Sequence, residues 1–164
     1  MKSLRVHSLG AVALLTGLAS FSAYAQEADF ELISPSQSQA EQQALSEAGP
    51  AQGKLPSVRT RAILPSIKVL APALGVGPLK SPVRIELTFE PAGEAKINTD
   101  SFRVLYGVFE LDLTNKIREH AKISEAGVIA ERAKIPAGEH KLLIQIADEL
   151  GRQAETELRF KVEN

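Results

Sequence analysis

The stretch Val83-Arg84-Ile85-Glu86-Leu87-Thr88-Phe89-Glu90 puts Val83, Ile85, Leu87 and Phe89 at one parity and Arg84, Glu86, Thr88 and Glu90 at the other. A period of two belongs to an extended strand with one buried and one wet face; a helix, with its period of about 3.6, does not produce it. Pro82 and Pro91 bracket the stretch, and each lacks the amide that would extend a ladder.

The same alternation recurs on both sides. Downstream, Phe102, Val104 and Tyr106 alternate with Arg103 and Leu105, and after Gly107 the residues Phe109, Leu111 and Leu113 alternate with Glu110 and Asp112. Leu142, Ile144 and Ile146 run into Asp148-Glu149-Leu150-Gly151, a turn signal with glycine at its last position. Ala154, Thr156, Leu158, Phe160 and Val162 then form the second arm of a hairpin. Ile67–Leu70 and Gly127–Ile135 are shorter strands, and Thr114 is expected to cap a helical turn at Asn115-Lys116-Ile117 with its hydroxyl. About seven strands separated by turn signals read as an all-β antiparallel sandwich over residues 66–164.

Upstream the composition changes. Residues 26–65 are rich in Gln, Ser, Ala, Glu and Pro, with few large apolar residues, so the segment is expected to be a disordered tether. Its charges are segregated: Glu27, Asp29, Glu31, Glu41 and Glu47 precede Pro50, whereas Lys54, Arg59 and Arg61 follow it. Within it, SQAEQQALSE (Ser38–Glu47) has the composition of a transient helix. Residues 1–25 have the form of a secretory signal peptide: Lys2 and Arg5, an apolar run from Leu9 to Leu18, and Ala23-Tyr24-Ala25, with cleavage expected between Ala25 and Gln26. A periplasmic or secreted bacterial product with no membrane span in its mature form follows.

Ile135–Val162 resembles the C-terminal hairpin of bacterial immunoglobulin-like domains, through Pro136, Gly138, His140, Leu142, Ile144, Ile146, Asp148, Gly151, Phe160 and Val162. SPVRIELTFEP and INTDSFRVLYG are similar to the second and third strands of that class, and the chain is also similar to exported proteins built from one such domain. The resemblance implies the fold and leaves the function open. It also implies a structural place for His140, where related sandwiches put a Tyr whose tip bonds to the loop backbone. Both inter-sheet cysteines and the buried Trp of antibody domains are missing, so aliphatic and Phe packing is expected to supply the core.

Composition narrows the chemistry. The chain has 164 residues, a formal net charge of -1 and no Cys, so no cysteine nucleophile or thiolate metal site exists and nothing favours nucleic acid. His120 and His140 have no zinc-binding spacing, no G-x-S-x-G occurs, and the single Met, Met1, lies in the export signal. Glu86, Glu90, Glu155 and Glu157 fall on wet parities rather than flanking a cleft. Gly75-Val76-Gly77-Pro78 precedes a strand and reads as a loop, not a phosphate cradle. All aromatics of the mature chain except Phe30 fall on core parities, which weakens carbohydrate recognition.

Asp148 and Glu149, with Asp100, remain as a loop-end cluster of the kind that could bind a ligand or calcium, although an Asp before a tight turn ordinarily accepts backbone hydrogen bonds. The expectation is an exported, non-enzymatic immunoglobulin-like binding or structural module that takes no cofactor or metal and has a protein partner. The rivals are a calcium-dependent adhesion module and an enzyme accessory or hydrolase with a loop-built site. The edges Ile67–Leu70 and Phe109–Leu113, or the loops near Asp148, are where a partner is expected to dock.

Overall fold

A computed structural model of the chain describes residues 28–48, 63–73, 75 and 77–163. In chain order the elements are β1 (Phe30–Glu31), α1 (Pro35–Ala48), β2 (Ser66–Ala71), β3 (Leu79–Lys80), β4 (Val83–Glu90), β5 (Ile97–Tyr106), β6 (Leu111–Asp112), α2 (Thr114–His120), β7 (Ala121–Ser124), β8 (Gly127–Lys134), β9 (Gly138–Asp148) and β10 (Gln153–Glu163). They form two five-stranded sheets. In one, β8 lies beside β4 and β4 beside β2, while β7 and β1 share the outer edge of β8; the other runs β3-β10-β9-β5-β6.

The alternation in Val83–Glu90 is obeyed: Val83, Ile85, Leu87 and Phe89 are all buried. From the opposing sheet Phe102, Val104 and Tyr106 of β5, Leu142, Ile144 and Ile146 of β9, and Leu158 and Val162 of β10 close the core. Phe89 and Phe102 meet across the sheets with ring centroids 6.0 Å apart and tilted at 51°. Fully burying side chains of this size stabilises by about 1.5–3 kcal/mol each, which is how a cysteine-free sandwich of this length holds together. The last hairpin keeps one register from Gln153↔Ala147 to Val162↔Gly138.

Where β5 slips register against β9, between Asn98 and Arg103, side chains replace the ladder. The Ser101 hydroxyl accepts from the Ala147 amide at 2.7 Å and donates to the Asn98 carbonyl at 2.6 Å. Arg118 of α2 donates to the carbonyls of Thr99, Asp100 and Phe102. Among the described residues no buried side-chain nitrogen or oxygen lacks a hydrogen-bond partner.

Several expectations need correcting. The segment expected to be a tether is structured over residues 30–48: Phe30, Leu32 and Ile33 belong to the core and α1 follows. β1 pairs in parallel with β8 at Phe30↔Ala133 and Glu31↔Lys134, beyond the point where β7 stops pairing at Ala130. The segment need not bury a core of its own, because it fills a gap the sandwich leaves open. Arg132 makes the step between the two partners, with a left-handed φ of 57°, and its side chain pairs with Asp29.

The sandwich is not wholly antiparallel either, since β3 also runs parallel to β10. The described residues contain ten strands against the expected seven or so, because β1, β3 and β7 are too short to display a period. Phe109–Leu113 is not a strand: residues 107–110 form a turn, with Gly107 and Glu110 at positive φ, and only Leu111–Asp112 pairs. Phe109 is therefore 63% exposed rather than in the core. Thr114 does not cap α2 with its hydroxyl, which instead accepts from the Val104 amide at 3.0 Å, tying the helix to β5. The expected signal segment 1–25, its Ala25–Gln26 junction and residues 49–62 lie outside the described residues.

Candidate functional site

Asp148 ends β9 and is buried. Its Oδ1 accepts from the amides of Leu150 at 3.0 Å and Arg152 at 2.9 Å, and its Oδ2 from Arg152 Nε at 2.6 Å. Burial works to raise its pKa, but the Arg152 amide and guanidinium and the Leu150 amide together hold the carboxyl below the usual range. Arg152 also donates to the Ala92 carbonyl at 2.7 Å, so the pair binds two loops together. Glu149 points to Lys96, whose amide donates to its carboxylate at 3.3 Å. The structure thus places Asp148 and Glu149 in separate backbone-fastening roles, and among the described residues no three His, Asp or Glu side chains are grouped to hold a metal ion.

A different cluster, at the start of β9, brings together residues far apart in sequence. His140 is buried beneath α1, its Nε2 2.8 Å from the Pro136 carbonyl oxygen and its Nδ1 3.1 Å from the Tyr106 hydroxyl. A carbonyl only accepts, so Nε2 carries the proton and Nδ1 accepts from Tyr106. The phenol in turn bonds to Ser38 of α1. Burial, with the Glu41 charge adding to it, pushes the Tyr106 pKa up to about 12. Burial likewise holds His140 below the usual imidazole value, opposed by its bond to Pro136 and by Glu41.

Glu41 completes the cluster. It is 2% exposed, and both its oxygens accept from the Val108 amide, at 3.1 and 2.9 Å. Gly107 makes this approach possible: a Cβ there would lie 2.1 Å from Glu41 Oε2. Gly138 does the same for Gln42, whose Nε2 donates to the Glu139 carbonyl at 3.4 Å. Beside Glu41 lies an open depression of about 350 Å3, walled by Leu45, Val108 and Phe160 and rimmed by Lys141, Arg159 and Lys161. Lys141 and Arg159 both pair with Glu157, and Lys161 with Glu163. The apolar wall continues into the exposed turn at Val108 and Phe109.

His120, at the end of α2, is exposed and stacks on Phe30, with centroids 4.6 Å apart. Sequence reasoning marked His140 but missed Ser38, Glu41 and Gly107. The available signal was a helical stretch with two carboxylates, Glu41 and Glu47, and no basic residue. Comparisons of the chain with protein-family models, curated proteins and solved structures return no match. Among the described residues no helix is long and apolar enough to cross a membrane.

Proposed function

We propose that the chain is an exported immunoglobulin-like domain that acts as a non-enzymatic recognition module for a protein partner. Strand order supports the family. Reading β2, β4, β8 and β7 as strands A, B, E and D, and β5, β9 and β10 as C, F and G, is compatible with the immunoglobulin order, with β1, β3 and β6 as additional strands beside E, G and C. His140 at the start of β9 bonds back to Pro136 as the tyrosine of that corner does.

The observation that carries the functional reading is the turn at Val108-Phe109. Two apolar side chains, 42% and 63% exposed, stand at the tip of a hydrogen-bonded scaffold next to the depression walled by Leu45 and Phe160. Exposed aromatic anchors beside a pocket, ringed by polar groups, are what protein interfaces use. The polar side chains with catalytic potential, His140 and Asp148, are instead committed to neighbouring backbone and side chains. That commitment favours recognition over a loop-built hydrolase and over calcium-dependent adhesion.

The test is affinity capture from a periplasmic extract with wild type and with Phe109→Asp. A specific partner retained by wild type and lost by the variant supports the reading; identical capture by both, or none by either, removes it.

A further inference from the structure

The contact between α1 and the sandwich is made by polar groups. Among its described side chains α1 buries Ser38 and Glu41, while Leu45 remains 41% exposed. Apolar burial therefore adds little to this docking, which rests on the bonds of Glu41 to Val108, Ser38 to Tyr106 and Gln42 to Glu139. A helix held this way can be exchanged for another that offers the same groups, because hydrogen bonds given up to water cost little net free energy.

The receiving surface is shaped for a carboxylate. Gly107, at φ 73°, opens space in front of the Val108 amide, and the incoming oxygen occupies the position a side chain at 107 would take. The charges match: α1 carries Glu41 and Glu47 and no basic residue, whereas Lys141, Arg159 and Lys161 rim the depression. The rim cations are paired with Glu157 and Glu163 on partly exposed side chains, where ion pairs are weak and readily exchanged. Among the described residues lining the depression, Glu139 is the acidic one besides Glu41 itself.

We propose that the Gly107-Val108 turn, with Tyr106 and the basic rim of Lys141, Arg159 and Lys161, is a binding site for a helical acidic peptide, and that Glu41 of α1 occupies it in cis as a pseudo-ligand. This deepens the recognition-module reading, on which it rests, by naming the site and the chemistry of the partner. The peptide inserts one glutamate onto the Val108 amide and lays its apolar side chain against Val108 and Phe160, where Leu45 of α1 lies in the closed form. Opening of α1 is the step that admits it, while Phe30, Leu32 and Ile33 keep β1 anchored.

The experiment uses the 15N-labelled mature chain as wild type and as Ser38→Ala/Glu41→Gln, with a synthetic peptide of residues 34–48 added in trans and the Val108 amide observed. The expected result is faster amide exchange along α1 in the double variant and a saturable shift of Val108. Half-saturation is expected at a peptide concentration about tenfold or more below that needed by wild type, where the cis helix competes. The same peptide carrying Glu41→Gln is expected to leave Val108 unmoved.

If α1 exchanges no faster in the double variant, or if it opens and no peptide shifts Val108, or if both peptides shift it equally, the carboxylate site is refuted. Partner capture that depends on Phe109 would survive each of these outcomes, so the two readings fail separately. Should the double variant not give a dispersed spectrum, Glu41→Asp, one methylene short of the Val108 amide, takes its place with the same criteria.

Discussion

His140 Nε2 donates to the Pro136 carbonyl oxygen at 2.8 Å, closing a loop of four residues at the mouth of β9. The bond fixes the tautomer and leaves Nδ1 to accept from Tyr106. Tyr106→Phe would therefore strand a buried acceptor and deprive Ser38 of its partner. The expected loss is about 1–3 kcal/mol in urea unfolding, larger than for removal of a water-exposed hydroxyl.

The two rings titrate in opposite senses. His140 has its folded pKa depressed by burial, so stability is full above the unfolded value of about 6.5 and is lost as pH falls, because the unfolded chain then takes the proton first. Tyr106 has its folded pKa raised to about 12, so stability is full below about 10 and is lost as pH rises through that interval. Melting temperature against pH is expected to fall on both sides, and the acid limb to flatten in His140→Phe. Phenolate absorbance is expected to place Tyr106 well above an ordinary tyrosine.

Leu32→Ala tests whether the N-terminal segment belongs to the fold. Leu32 is 0% exposed, and deleting a core leucine costs about 2–5 kcal/mol, whereas the same change in a tether would cost nothing measurable. Denaturant midpoints decide between the two. Lys161→Ala serves as the surface control and is expected to stay within about 0.5 kcal/mol.

Gly107→Ala is expected to destabilise by more than the loss of chain flexibility explains, since its Cβ would meet the Glu41 carboxylate at 2.1 Å. In Glu41→Ala the collision disappears, so the double variant is expected to be less destabilised than the two single changes summed. Additive losses in calorimetry would mean that the carboxylate and the glycine do not meet.

Much of this molecule is legible in its sequence wherever a strand is long enough to show its period. Val83–Glu90 and the β9–β10 hairpin announce their buried faces, and Asp148 before Gly151 reads as the turn it makes. The parts that were not legible share a physical cause. Phe30-Glu31 and Leu79-Lys80 are two-residue parallel strands whose pairing is set by distant chain, and α1 docks through Ser38 and Glu41, so no apolar stripe marks its buried face. Phe109 follows the strand parity yet lies in a turn, because Gly107 and Glu110 at positive φ bend the chain before pairing can resume. For the candidate site, His140 was visible as a corner residue; its partners come from 34 residues upstream in Tyr106 and from the segment that composition assigned to a tether.

The most direct test of the account is hydrogen exchange at the Val108 amide, the donor that Glu41 takes from the turn. Slow exchange in wild type that rises at least tenfold in Glu41→Gln, with the core amides of β9 unchanged, is the expected result. Exchange at Val108 that is already fast in wild type, or unaltered by the substitution, would contradict it.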